Sequence, residues 1–248
     1  KQAVVKIRSI DPNASIVGPS LVAYNSAALK NFLNFGRANN VLPTVLSWHE
    51  LSAGYRPIEA HVQEMRSFMQ ANGMGNIGIS LNEVTNQSDT VNAGKTVHYL
   101  GAVERAKVDS ACRTCWPEPS GGWSCHSLDG LVTPDTKQPR SVWWAVKGYA
   151  DITGRLVNVV PGASINGIAG QDAGSAQARA VLGRDGGSGP NVRVNLTGLD
   201  HVAYLGQRIQ VVAQRVPASC HSPLAALTKE VDTTVVVSGT QATFALPR

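Results

Sequence analysis

The 248-residue sequence predicts an α/β region of parallel strands with helical crossovers, followed by an all-β region. Three observations carry this expectation. Across residues 16–144, short apolar segments alternate with stretches whose apolar residues recur at helical spacing, the signature of βα units. From Gly154 onward the helical period gives way to short alternating segments separated by Gly, Pro, Asp and Ser clusters, the pattern of an antiparallel sandwich. The composition, 43% hydrophobic against 16% charged with 24 Gly and 13 Pro, suits a strand-rich chain with a sizeable core. It excludes a coiled coil, a helical bundle and a mainly disordered chain.

In chain order, Val4, Val5, Ile7 and Ile10 read as the end of a helix begun before position 1 and stopped by Asp11 and Pro12. SIVGPSL (15–21) is the first strand, and its helix covers about 26–38 with Leu29, Phe32, Leu33 and Phe35 on one face. VLPTVLSWHEL (41–51) is the second strand, followed by a helix over about 58–70 with Val62, Met65, Phe68 and Met69 inward. NIGISLNEV (76–84) is the third, with a helix near 97–108. A fourth strand lies near 108–115, and SVWWAVKGYADI is its helix, with Trp143 and Trp144 read as core. The later strands are RLVNVV, ARAVLGR, NVRVNLTGL, RIQVVAQRV and TTVVVSG, with GRDGGSGP (183–190) a hairpin loop.

The formal charge is +5, from 22 Lys and Arg against 17 Asp and Glu. Its basic residues are scattered without aromatic interleaving, so no nucleic-acid partner is expected; the charge favours anionic partners such as an acidic polysaccharide. No apolar run approaches the roughly 18 residues of a membrane span, so no membrane partner is expected. Cys112, Cys115 and Cys125 share one Pro/Gly-rich loop, CRTCWPEPSGGWSC, with Cys220 far away. A disulfide closing that loop is the expected reading, with Cys115–Cys125 the first-choice pair and Cys112 and Cys220 unassigned. A zinc site from Cys112, Cys115, Cys125 and His126 competes, but its second half lacks ligand spacing. Sequons at Asn13, Asn86 and Asn195 are compatible with a glycoprotein.

Parallel βα units present functional groups at the C-terminal ends of their strands. Those ends carry Gly18, Pro19 and Ser20; Ser47, Trp48, His49 and Glu50; Asn82 and Glu83; and Arg113 and Trp116. Glu83 leads. A carboxylate directly after an apolar strand is costly if buried unpaired and useful if aimed into a polar cleft. Its structural alternative is a cap of the following loop or a pair with an Arg.

The succession IVGPS, ALKNFLNFGRANN, LPTVLSWHEL, ISLNEV, the Cys/Trp loop and PRSVWWAVKGYADITG resembles the second half of a (β/α)8 glycoside hydrolase of clan A, closest to family 39. The resemblance implies that residues 1–153 are strands five to eight of the barrel and that 154–248 form a small β-sandwich. It makes Glu83 the nucleophile of a retaining glycosidase acting on a poly- or oligosaccharide. It gives His49 the task of orienting the nucleophile or the sugar, and Asn82, Trp48 and Glu50 the binding of substrate. Trp116 would be a stacking platform extended by Trp123. No metal or organic cofactor is implied, since a two-carboxylate mechanism needs none.

A retaining glycosidase also needs a second carboxyl group about 5 to 5.5 Å from the first. In clan A that group follows an Asn, and the sequence holds one Asn-Glu pair, Asn82-Glu83. Glu50 has no Asn before it and Glu118 lies in a Pro-flanked loop, so both are poor substitutes. The expectation is a secreted, extracellular chain completed by a separate or nicked polypeptide bearing the N-terminal barrel half. A non-catalytic carbohydrate-binding or structural subunit is the alternative, and a two-layer α/β binding protein is a third reading.

Overall fold

Apolar stripes on helices whose ends are marked by Asn caps, set between short strands, produce the first part of the molecule. The computed structural model describes residues 1–118, 122–186, 189, 191–202 and 204–247. The chain packs as two units, Lys1–Thr90 with Tyr99–Trp116, and Val91–His98 with Pro117–Arg248. The sequence places its boundary at 153/154, between the last helix and the antiparallel strands.

In the first unit, α1 (Gln2–Ile10) precedes β1 (Val17–Leu21), α2 (Ser26–Ala38), β2 (Val45–Glu50), α3 (Ile58–Ala71), β3 (Gly78–Val84), the part of α4 (Ala93–Ala106) from Tyr99 onward, and β4 (Ser110–Arg113); α4 up to His98 counts with the second unit. The four strands are parallel and ordered β1-β2-β3-β4. Leu46 and Trp48 of β2 and Ile79 and Leu81 of β3 pack in one core with Leu29 and Leu33 of α2 and Met65 and Met69 of α3. The opposite face carries Ser47, Ser80 and Asn82, which follows from the strict alternation of side chains along a strand. Sequential order with one apolar and one polar face is consistent with a partial barrel; doubly wound sheets reverse their strand order.

The helices form where expected, with two differences. Helix α2 is capped by Asn25, whose Oδ1 accepts from Ala28 N. Its buried stripe is Leu29, Leu33 and Gly36, which leaves Phe35, six residues and about 240° from Leu29, exposed. Helix α4 starts four residues before the expected Val97, because Asn92 Oδ1 accepts from Lys95 N and caps it there. No residue of α1 is buried. Among the described residues no helix is long and apolar enough to cross a membrane.

The second unit holds α5 (Ser141–Ala150) and strands β5 (Arg155–Val157), β6 (Ile165–Asp172), β7 (Gln177–Arg184), β8 (Val192–Leu196), β9 (Arg208–Arg215), β10 (Thr228–Val236) and β11 (Ala242–Leu246). Among the described residues its pairings are antiparallel, in three hydrogen-bonded sheets: β5-β6-β7, β9-β10 and β8-β11. Strands β6 and β11 are absent from the sequence reading. Gly167 and Gly170 interrupt β6 and read as breakers. In the structure they allow close approach, since a Cβ would lie 2.6 Å from Leu182 Cδ2 at the first and 2.6 Å from Ile152 Cγ2 at the second. The expected hairpin loop over 183–190 falls partly outside the described residues, as does part of the Cys/Trp loop.

Within the second unit Trp143 and Trp144 meet edge-to-face at 4.8 Å, and Trp144 Nε1 donates to Leu224 O. Cys115 and Cys125 are disulfide-bonded, whereas Cys112 and Cys220 are free and exposed. The disulfide takes two of the sulfurs that the zinc reading requires.

Candidate active site

Alternation decides which side chains of β2 can reach a ligand. Leu46, Trp48 and Glu50 share the helix-facing side, leaving Ser47 and His49 on the other. Trp48 is 0% exposed and donates from Nε1 to Glu50 Oε1 at 2.7 Å. Glu50, 3% exposed, also bonds His61 Nδ1 at 2.8 Å, and His61 stacks on Tyr24 at 3.7 Å. Trp48 and Glu50, expected as substrate contacts, thus form a hydrogen-bonded element of the helix–sheet core.

A bulge then redirects β3. Leu81 pairs with Trp48 and Glu83 with His49, so Asn82 is an extra residue between successive pairs. Without it Glu83 would share the helix side with Ile79 and Leu81. With it, Val84 takes that place in the core, and Asn82 and Glu83 are both partly exposed. The Glu83 side chain is 42% exposed, and His49 Nδ1 lies 3.6 Å from its Oε2. That separation exceeds a hydrogen bond, and His49 Nδ1 is buried with no hydrogen-bond partner among the described residues. Asn82 Nδ2 donates to Ser20 Oγ at 2.8 Å. Glu83, Asn82 and His49 therefore gather at the C-terminal ends of β2 and β3.

The loop after β3 is held from two directions. Thr85 has φ +97°, rare for a β-branched residue, and its carbonyl accepts from Trp116 Nε1 at 2.9 Å. Its own hydroxyl is buried without a hydrogen-bond partner among the described residues. Tyr99 Oη donates to Asp89 Oδ2 and accepts from Asn86 N, and burial pushes the phenol well above its ordinary range. The indole of Trp116 is thus fixed two residues beyond Glu83. Thr85 escaped the sequence reading because nothing in a Thr reveals a positive φ.

Trp123 belongs to the second unit, where it is 55% exposed and bridges to Pro117. Glu118, in the same unit, is fully committed: Arg140 Nη1 and Nη2 donate to its two oxygens at 2.9 and 3.2 Å, and Ser127 Oγ donates at 2.6 Å. Burial alone would raise its pKa, but the Arg140 and Ser127 bonds prevail and hold the carboxyl below its ordinary range. It is a structural carboxylate.

No family model matches the chain. It is 25% identical over 223 residues to a 3-O-α-D-galactosyl-α-L-arabinofuranosidase of Bifidobacterium longum subsp. longum, covering 85% of this chain and 19% of that protein. A structure of N2152 from Neocallimastix frontalis superposes with a TM-score of 0.87 at 29% identity, over 99% of this chain and 60% of that one. A monomeric β-xylosidase from Caulobacter crescentus CB15 superposes with a TM-score of 0.58 at 15% identity, over 99% and 61%, a likeness of fold. The chain spans about a fifth of the curated relative and three fifths of these structures. A curated relative and a structural neighbour of this chain are accordingly glycoside hydrolases.

Proposed function

We propose that the chain is the nucleophile-bearing part of a retaining glycoside hydrolase of the clan A type, with Glu83 as nucleophile. The observation that carries this reading is the bulge that turns Glu83 out beside His49 and Asn82 at the C-terminal ends of parallel strands. One Glu83 oxygen attacks the anomeric carbon while a second carboxylic acid protonates the departing glycosidic oxygen, forming a glycosyl ester. The second group, now a base, takes a proton from water, which attacks the same carbon and releases Glu83. His49 Nδ1, when protonated, stabilises the Glu83 carboxylate across 3.6 Å. Trp116, anchored on Thr85, offers its ring to the sugar.

The acid/base comes from a further stretch of polypeptide, of the same or another chain, that adds parallel strands at the sheet ends β1 and β4, each paired along one edge here. The substrate class is an arabinofuranoside of an oligo- or polysaccharide, after the activity that the curated relative is named for. The disulfide suits an oxidising, extracellular setting. The test is Glu83→Gln in the polypeptide with the complete barrel, assayed on aryl arabinofuranosides and related pentosides. Turnover falls by about 10³-fold or more with folding intact. Near-wild-type turnover overturns the assignment.

A further inference from the structure

Asn82 is not the only bulged residue at this end of the sheet. In β1, Pro19 pairs with Ser47 and Leu21 with Trp48, so Ser20 is an extra residue between successive pairs, as Asn82 is in β3. Ser20 takes φ +57°, a left-handed conformation unusual outside Gly, Asn and Asp. Its amide donates to Ser47 Oγ at 3.1 Å, its hydroxyl lies 3.0 Å from the same oxygen, and that hydroxyl also accepts from Asn82 Nδ2. In a flat sheet β1 and β3 would stand about 10 Å apart across β2. Their ends are bridged here by two side chains over Ser47, which is fully buried and small enough to let the bridge pass.

We propose that Ser20 is a positioning residue that fixes the Asn82 amide, so that its second N–H and its carbonyl oxygen present one donor and one acceptor to a sugar hydroxyl beside Glu83. This rests on the glycosidase reading of Glu83. An unanchored Asn82 turns its amide freely and spends binding energy on being ordered by the sugar. Anchored on Ser20, it meets the substrate already oriented. Ser20 does not touch the sugar, so its effect passes entirely through Asn82.

The test is a double-mutant cycle in the polypeptide that carries the complete barrel. Ser20→Gly removes the hydroxyl while accepting φ +57° without strain, and Asn82→Ala removes the amide. Ser20→Gly alone lowers kcat/KM about tenfold, the effect of one neutral hydrogen bond. In the Asn82→Ala background it has no further effect. Equal losses in both backgrounds overturn the proposal and leave Ser20 a merely structural residue. A readout independent of activity is the ¹⁵N side-chain amide signal of Asn82 in asparagine-labelled protein: a high order parameter and shifts displaced from free asparagine in the wild type, a low order parameter and shifts moved toward free asparagine in Ser20→Gly. An unchanged signal also overturns it. If Glu83→Gln retains turnover, the catalytic reading falls by itself, and the amide signal still decides whether Ser20 orients Asn82.

Discussion

Replacing Arg140 by methionine removes one partner of a buried ion pair and keeps its bulk. Arg140 and Glu118 have side chains 3% exposed, joined by two parallel N–H···O bonds of 2.9 and 3.2 Å. The same guanidinium donates to His221 O at 3.1 Å and Gly130 O at 3.4 Å. Orphaning one member of such a pair costs about 3 to 5 kcal/mol. The variant can avoid a naked carboxylate by protonating it, and holding a carboxyl with an ordinary pKa near 4.3 neutral at pH 7 costs about 3.7 kcal/mol, at 1.36 kcal/mol per pH unit. That bounds the loss near 3 to 4 kcal/mol at pH 7, and the same arithmetic leaves about 1 kcal/mol at pH 5.

The sign follows from the pair itself. The native carboxyl is held below its ordinary pKa, so its contribution is full above the unfolded value and fades as pH falls through the native one. In the variant the neutral form is preferred, so acid relieves the penalty. Urea denaturation of wild type and variant, following loss of β-sheet circular dichroism between pH 5 and 7, measures the gap. A loss under about 1 kcal/mol at pH 7, or a gap independent of pH, refutes the reasoning.

Two further outcomes concern residues near the site. Trp48→Ala destabilises by about 3 to 5 kcal/mol in urea, because Trp48 is core and its loss also strips a donor from Glu50; a variant as stable as wild type but defective in sugar binding would restore Trp48 to the substrate. Trp116→Ala raises KM about tenfold on aryl arabinofuranosides whereas Trp116→Phe, which keeps a ring, stays within about threefold of wild type; equal effects of the two would assign the residue to its bond with Thr85 instead.

The βα alternation was legible because burial imposes a period on the sequence, and Val62, Met65 and Met69 of α3 face inward as that period requires. The first turn of α4 was not, since its start depends on the side chain of Asn92 and not on apolar spacing. Strand β6 was hidden by glycines that serve close packing. At the site, Glu83, Asn82 and His49 were legible as polar residues ending apolar strands. Trp48 and Glu50 sat in the same short stretch, but the pleat sends them to the helix side, which proximity in sequence conceals. The bulges at Ser20 and Asn82 leave no mark in the sequence, because an extra residue in a strand is defined by its partner strand.

In the proposed reaction Glu83 forms a covalent bond to the sugar. The direct measurement is peptide mass spectrometry of the barrel-complete polypeptide after incubation with an activated 2-fluoro-arabinofuranoside, whose fluorine slows release of the glycosyl ester. One added fluoropentosyl group per chain is expected, located on Glu83 and absent from Glu83→Gln. A fluoropentosyl group on any other carboxylate, or turnover that inverts the anomeric centre, contradicts it.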